Sequence, residues 1–366
     1  MNGTSTNTDQ RFTRVLQDDF RNISFKRDVK REFKELRNFY LTEEQSKRLS
    51  GMNIIHKCFL IISWMLKSMF LHLTPIRRIL TVIGLIVIVF GSGIIVNDGH
   101  TNVNNTGLVG GTLIFIVLMF ELKDKLLAKD ELEAGRKVQR ALMPEKSPKV
   151  EGWSVWLYTR PANEVGGDLV DYMKIDDDRI GIVIADVAGK GLHAALLMAK
   201  LQATIRALAA DYPSLSVLCT KINSIFYRDS LSNIFASMIY LEIKPGDSKI
   251  RFVNGGHLPP ILIVKNEIKE ISKSNPAIGL TNNYSFNEDS KDMESGDILI
   301  AFSDGITEAR NEYGQFFEKE RFIRLLSNIK HYKFERLGEA IVNAVDMFVG
   351  DNPMYDDLSL IIIKKN

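Results

Sequence analysis

Cysteine is nearly absent from this 366-residue sequence, which contains only Cys58 and Cys219, far apart and in different surroundings. So low a count excludes a disulfide framework and a cysteine-based zinc site, and it fits a reducing compartment. The chain also lacks an excess of charge of either sign, because its net charge is +2. Nucleic-acid binding usually needs a clustered basic surface, so we expect no nucleic-acid partner. The length is compatible with about two domains.

No long apolar run occurs before position 52, so no N-terminal signal peptide is expected. Residues 1–51 are polar and of mixed charge, and we interpret them as an N-terminal extension. Apolar residues are concentrated instead in the segment 52–122, which we interpret as a membrane region. The sequence therefore divides into a polar extension, a membrane region, a linker and a C-terminal domain.

Lysine and arginine are absent between Ile79 and Leu122. Within this window, 79–96 is an uncharged run that would cover about 27 Å as a helix, close to the hydrocarbon thickness of a bilayer. A second apolar run, with its flanking residues, covers 107–122. Basic residues flank the window on both sides, so the positive-inside rule places both flanks in the cytoplasm. The sequence therefore predicts a transmembrane helical hairpin, multi-pass in the cell (inner) membrane, with a buried hairpin of a soluble protein as the alternative.

The stretch 52–73 is apolar but is interrupted by charged residues such as Lys57 and Lys67. We expect a helix that lies in the membrane interface with its lysines reaching towards water, and a third span is the alternative. The choice matters for topology, because an odd number of spans would place residues 1–51 outside the cytoplasm.

Residues 123–149 are predicted to form a charged linker helix that ends near Pro144 and Pro148. Apolar residues in it follow a three-to-four spacing, which is compatible with a short parallel coiled coil and thus with a homodimer. Glu131 would occupy a core position of that coiled coil, so an exposed connector helix is the alternative. The spaced residues are Leu127, Ala134, Val138 and Ala141.

From 150 to 366 the pattern changes to alternating strands and helices, which predicts an α+β layered domain rather than a doubly wound parallel sheet. Strands are expected at 153–159, 180–186, 236–243, 249–253, 261–265, 297–303 and 358–363. Long helices are expected at 192–211, 214–228, 319–330 and 334–350.

Aspartates fall at the ends of several of these apolar runs. Asp186 ends RIGIVIAD, Asp304 ends DILIAFSD, and Asp356 and Asp357 open the last strand. Asp168 follows two glycines, which allow another backbone or a ligand to approach closely. One acid at a strand end is ordinary turn chemistry, but several acids at one end of a sheet would be a candidate site.

Clustered carboxylates need a compensating positive charge. Two carboxylates about 4 Å apart repel each other by roughly 4 kcal/mol at an effective dielectric constant of about 20. An all-oxygen set of ligands without cysteine or paired histidines favours hard ions, so Mg²⁺ or Mn²⁺ is preferred over Zn²⁺. The residues themselves therefore indicate an acidic metal site in a cytoplasmic α+β domain.

Six short motifs in the C-terminal region occur in the order and spacing of the SpoIIE-type, RsbU-like phosphatases, and residues 150–366 resemble that group. These phosphatases belong to the PPM (type 2C) family of metal-dependent protein phosphatases. The resemblance implies an αββα sandwich, in which two antiparallel sheets are flanked by helices, and a pair of Mn²⁺ or Mg²⁺ ions at one end of the sandwich. The motifs are EVGGD (164–168), ADVAGKG (185–191), NGGHLPP (254–260), AIGL (277–280), FSDGITEA (302–309) and DDLSL (356–360).

By position, the resemblance assigns metal-binding roles to four residues. Asp186 matches the carboxylate that bridges both ions, and Val187 matches the residue that contributes a backbone carbonyl. Asp304 and Asp356 match further ligands. Asp186 and Asp304 are accordingly the residues expected to be essential for catalysis.

Other site residues have weaker assignments. Asp168 and Asp357 match acids beside the ions, which act through water or through a neighbouring ligand. Many type 2C enzymes carry a histidine shortly after the bridging acid, but this chain has Lys190 in that region, so no general acid is identified. Lys190 and Arg160 are candidates for binding phosphate.

The resemblance implies hydrolysis of phosphoserine or phosphothreonine by a hydroxide held between two ions, which lower the pKa of the water molecule that forms it. The substrate would be a phosphorylated regulator such as an anti-sigma-factor antagonist of a bacterial partner-switching pathway. One alternative is a catalytically inactive member that serves as a binding module. Another is a membrane nucleotide cyclase, because VGGD is similar to the GGDEF motif, although Leu169 and Val170 stand where that motif has Glu and Phe.

Overall fold

The structure is a computed structural model, and the predicted N-terminal extension at 1–51 lies outside the residues that it describes. Two compact units, 1–125 and 126–366, divide the chain and are described separately below. The residues described are 52–97, 100–229, 234–265, 267–272 and 275–366.

Helices dominate the described part of the first unit, and two of them approach each other closely. A Cβ on Gly110 would lie 2.5 Å from the carbonyl oxygen of Gly84, so only glycine permits this contact. Arg77 donates hydrogen bonds to Glu121 at 2.6 Å and to Asp124 at 2.7 Å. The elements are α1 (Ile54–His72), α2 (Pro75–Gly91), β1 (Ser92–Asn97), β2 (His100–Asn105) and the start of α3 (Thr106–Leu142).

The prediction of a continuous helix over 79–96 is wrong at its C-terminal end. Helix α2 ends at Gly91, and β1 pairs with β2 in an antiparallel hairpin. The sequence GSGIIV explains the change, because two glycines disfavour a helix and the β-branched residues after them favour a strand. Downstream, the run predicted at 107–122 and the linker helix predicted from 123 form one helix, α3, of 37 residues.

Helix α3 ends at Leu142, two residues before Pro144. Proline disfavours helical geometry in the residue that precedes it, which accounts for this end. Among the described residues, α3 is the one helix that is long and apolar enough to cross a membrane by length and composition. Helix α2 has 17 residues, and the stretch predicted at 52–73 forms α1, a helix of 19 residues.

The second unit contains eleven strands and five helices after α3 in its described part. The strands are β3 (Lys149–Val150), β4 (Trp153–Arg160), β5 (Asp168–Lys174), β6 (Ile180–Val187), β7 (Ala236–Ile243), β8 (Lys249–Gly255), β9 (Ile261–Val264), β10 (Glu267–Glu270), β11 (Asp289–Asp292), β12 (Ile298–Phe302) and β13 (Leu358–Lys365). The helices are α4 (Gly191–Leu208), α5 (Leu215–Asp229), α6 (Asp304–Thr307), α7 (Lys319–Ile329) and α8 (Phe334–Val349).

These strands form two antiparallel sheets, with the orders β10-β9-β12-β13-β4-β3 and β11-β8-β7-β6-β5. Alternate residues of each strand point to opposite faces, so each sheet contributes to two apolar layers. Ile184 and Ile361 belong to the layer between the sheets, whereas Val183 packs with α4 and α5, and Ile362 packs with α7 and α8. The expected αββα sandwich is therefore confirmed.

Candidate metal centre

The register of the strands brings the predicted acids to one end of the sandwich. Asp168 at the start of β5 pairs with Asp186 near the end of β6. In the other sheet, β12 and β13 are antiparallel neighbours, so Asp304 after β12 and Asp357 before β13 lie at a shared edge. The acids predicted from the ends of apolar runs thus come from both sheets.

Glycines allow the segments that carry these acids to pack directly on one another. A Cβ on Gly305 would overlap the carbonyl oxygen of Asp357, and a Cβ on Gly166 would overlap its carboxylate. A Cβ on Gly167 would lie 3.2 Å from the carbonyl oxygen of Val187. Close approach therefore requires glycine at 166 and 305 and leaves little room for a side chain at 167.

The carboxylate of Asp357 holds the loop before β5 in place. It accepts hydrogen bonds from the backbone N–H groups of Ala162 at 2.7 Å, Gly167 at 2.7 Å and Asp168 at 3.3 Å. Burial raises the pKa of Asp357, and these three donors oppose the rise. Asp357 therefore positions Asp168 by binding the backbone around it.

Burial and mutual repulsion raise the pKa values of three other acids of the cluster. Burial, with the charges of Asp304 and Asp356 nearby, raises the pKa of Asp186 to about 7. Burial and the charge of Asp356 raise the pKa of Asp304 to about 6. Burial and the carboxylates of Asp186 and Asp357 raise the pKa of Asp168 well above its usual range, and its Oδ2 atom is buried without a hydrogen-bond partner.

The two predicted phosphate-binding candidates are in different places. The ammonium group of Lys190 lies at the site, 2.7 Å from Oδ2 of Asp356 and 4.5 Å from the ring centroid of Tyr355. Arg160 instead donates two hydrogen bonds to Asp346 of α8. Lys190 therefore lies beside the acid cluster, whereas the guanidinium of Arg160 is bound to Asp346 of α8.

Three residues at or beside the site were not singled out from the sequence. Tyr355 and Arg310 stack at 3.8 Å, directly before Asp356 and directly after the FSDGITEA motif. Gln139 of α3 exchanges two hydrogen bonds with Gly166, at 2.7 and 3.1 Å. Adjacency to the motifs was a usable signal for the first two residues, whereas Gln139 lies 27 positions from its partner.

The donor set fits hard divalent ions that keep part of their water. Among the described residues, no three His, Cys, Asp or Glu side chains converge on a single metal position. Mg²⁺ in proteins usually retains several waters and is bound through one or two carboxylates, which this arrangement offers. The unpartnered oxygen of Asp168 and the raised pKa values of Asp186 and Asp304 indicate a place where positive charge would be stabilised.

Solved structures with this fold include the PP2C domain of SiaA from Pseudomonas aeruginosa. The TM-score is 0.58 at 20% identity, over 66% of this chain and 99% of that chain. A second is the PP2C phosphatase domain of SpoIIE from Bacillus subtilis, with a TM-score of 0.50 at 19% identity, over 60% of this chain and 64% of that one. The fold is therefore that of a PP2C phosphatase domain.

The sequence profile of Stage II sporulation protein E (SpoIIE) matches residues 176–366. The chain belongs to the SpoIIE family.

Two individual relatives are similar over a larger part of the chain, and a third over half of it. Protein IcfG of Synechocystis is 26% identical over 74% of this chain and 48% of its own length. Phosphoserine phosphatase RsbU of Bacillus subtilis is 27% identical, over 65% of this chain and 70% of its own length. Phosphoserine phosphatase RsbP of the same organism is 31% identical, over 50% and 46%. The chain thus covers about half the length of IcfG and RsbP.

Proposed function

We propose that this chain is a membrane-anchored, metal-dependent phosphoserine/phosphothreonine protein phosphatase. The observation that carries the proposal is the set of acids at one end of the sandwich, with pKa values of about 7 for Asp186 and about 6 for Asp304. Clustered acids with pKa values shifted in this way are typical of functional sites. The names of RsbU and RsbP as phosphoserine phosphatases support the same activity.

Four residues would hold two Mn²⁺ or Mg²⁺ ions: Asp186, the backbone carbonyl of Val187, Asp304 and Asp356. When bound, the ions would supply Lewis acidity, which activates a water molecule and offsets charge on the phosphoryl oxygens. Cys219 does not compete as a nucleophile, because it is buried and burial raises the pKa of its thiol.

The remaining side chains orient and balance the site. Asp357 fixes the backbone at Gly167 and so the position of Asp168 beside Asp186. Lys190 forms an ion pair with Asp356. Once a metal ion binds that carboxylate, the ammonium group of Lys190 would be free to turn towards a phosphoryl oxygen of the substrate. No side chain here is assigned as general acid.

Activity is tested with the purified full chain, Mn²⁺ and a phosphoserine peptide. We expect phosphate release that a chelator abolishes and that Asp304→Asn lowers at least about 100-fold. Asp346→Asn is the matched control, because this half-exposed aspartate pairs with Arg160 outside the acid cluster. Turnover of GTP without phosphate release from the peptide would indicate the nucleotide cyclase, and neither reaction would indicate the binding module.

The membrane anchor would be a hairpin of α2 and the first part of α3, with the catalytic unit in the cytoplasm. The close contact of Gly84 with Gly110 and the exposed apolar side chains of α2 support this arrangement. Cysteine labelling tests it: a cysteine at Thr101 should react with a membrane-impermeant reagent in intact cells, and a cysteine at Lys129 should not.

The substrate would be a phosphorylated protein regulator, such as an anti-sigma-factor antagonist, as implied by the resemblance to RsbU-like proteins. Helix α3 would form a homodimer through its exposed apolar residues Leu127 and Val138. A phosphoproteomic comparison of cells with wild-type and Asp304→Asn protein would identify the substrate. Sedimentation of the full chain with Val138→Glu would test the dimer.

A further inference from the structure

Arg310 is a half-buried arginine whose guanidinium makes no ion pair or hydrogen bond within the described residues. Its Nε atom is buried without a partner. The guanidinium carbon lies 3.8 Å from the ring centroid of Tyr355 and 4.5 Å from that of Phe316. Stacking on aromatic rings keeps the plane of an arginine fixed while leaving its N–H groups available.

Four other arginines of the same unit are paired with acids. Arg136 bonds Glu164, Arg160 bonds Asp346, Arg206 bonds Asp171 and Arg251 bonds Glu242. Removing a charge from water is costly unless the charge is paired and hydrogen-bonded. A guanidinium without such a partner is therefore suited to an anion that arrives from outside the protein.

Arg310 stands at the rim of the acid cluster. Tyr355, on which it stacks, also contacts the ammonium group of Lys190 at 4.5 Å, and Lys190 in turn bonds Asp356 at 2.7 Å. One aromatic ring thus separates Arg310 from the lysine that adjoins the proposed metal ligand. A phosphoryl group held among the acids would be next to Lys190, and Arg310 would reach the neighbouring part of the substrate.

We propose that Arg310 binds a carboxylate side chain of the protein substrate that lies close in sequence to its phosphoserine, an inference that rests on the proposed phosphatase function. A carboxylate matches the planar fork of a guanidinium and accepts two hydrogen bonds from it. A cation at the rim of the site that no acid among the described residues pairs with would attract an acidic substrate segment. Arg310 would thus make the protein prefer phosphoserines that have an acidic residue nearby.

Two phosphoserine peptides, identical except for aspartate or asparagine beside the phosphoserine, are compared with the full-length protein and Mn²⁺. Wild-type protein is expected to prefer the acidic peptide. Arg310→Gln should lower kcat/KM for the acidic peptide about 10- to 100-fold, mainly through KM, and bring the ratio between the peptides close to one. Arg310→Lys, which keeps the charge but loses the fork, should retain part of the preference.

Arg321 provides the matched control, because it also stacks on two rings, Phe317 and Phe348, but lies on α7. Arg321→Gln should leave the ratio unchanged. Equal hydrolysis of both peptides by wild-type protein, or an equal loss on both peptides in Arg310→Gln, would overturn the inference while leaving the phosphatase function intact. Hydrolysis of neither peptide by wild-type protein would overturn the proposed function itself.

Discussion

Two buried aspartates of strand β5 stand only three residues apart, yet their surroundings differ in charge. Asp171 accepts two hydrogen bonds of 2.7 Å from Arg206 and one of 2.8 Å from Gln202. Asp168 has a buried oxygen without a hydrogen-bond partner, and other carboxylates raise its pKa further. An odd spacing places the two side chains on opposite faces of the sheet.

The difference separates an acid that serves the fold from acids that serve a ligand. On the helix-covered face, the sequence provides its own cation for Asp171, so the charge is neutralised within the protein. At the end of the sandwich, no arginine or lysine side chain bonds Asp168 or Asp186 within the described residues, and a bound cation would stabilise their charged forms. Each prediction below changes one side of this comparison.

The largest effect is expected from Asp186→Asn. Loss of the central carboxylate should lower the rate of phosphopeptide hydrolysis with Mn²⁺ by about 1000-fold. In a chelator, the melting temperature should stay equal or rise, because the substitution removes a repelling charge from the cluster. Steady-state kinetics and thermal unfolding of the same preparation measure both. A fall in melting temperature with unchanged activity per folded molecule would instead show that Asp186 is a structural acid like Asp171.

Asp171→Asn should produce the opposite combination. Loss of the ion pair with the half-exposed Arg206 should lower the free energy of unfolding by about 2 kcal/mol. That change corresponds to a decrease of about 4–8 °C in melting temperature for a unit of this size. Activity per folded molecule should remain, because Asp171 faces α4. Arg206→Gln should cost a similar amount, and the double variant should cost less than the sum. Strict additivity would argue against the pair.

The sequence allowed good predictions wherever a strand was apolar on both faces. The strand predicted at 236–243 coincides with β7, and the acids predicted at 186 and 304 lie at the ends of β6 and β12. Strand β5 was missed because DLVDYMK contains two acids. The compensating Arg206 lies 35 positions from Asp171, beyond the reach of any local pattern.

Long separation in sequence also hid interactions within the site. Asp357 was predicted as an acid beside the ions. Its hydrogen bond with the backbone N–H of Ala162 was not predicted, because the two residues are 195 positions apart. The end of α2 at Gly91 was missed for a different reason, because length and apolarity outweighed two local glycines in the interpretation of 79–96. The structure thus differs from the sequence-based predictions where residues far apart in sequence interact and where a short local signal was outweighed.

A smaller effect should appear in the pH dependence of stability without metal. Burial and nearby acids raise the pKa of Asp186 from 3.8 to about 7, so the folded protein holds more protons than the unfolded chain between these values. The free energy of unfolding in a chelator should therefore fall as the pH rises through this window. Denaturant unfolding at several pH values measures it. Saturating Mn²⁺ should remove the decrease, whereas Asp186→Asn should reduce it and leave the part that Asp304 contributes.

The smallest effect is expected from Arg160→Gln, which removes an ion pair that is neither buried nor part of the acid cluster. Arg160 and Asp346 have side chains that are 34% and 42% exposed, so water screens their attraction and its loss should cost about 0.5 kcal/mol. The guanidinium of Arg160 is occupied by Asp346, so KM for a phosphopeptide should change less than about twofold. Chemical denaturation and steady-state kinetics provide the two values, with Asp346→Asn as the matching variant. A tenfold rise in KM for Arg160→Gln alone would instead give Arg160 the phosphate-binding role that the sequence indicated, and would move it to the functional side of the comparison.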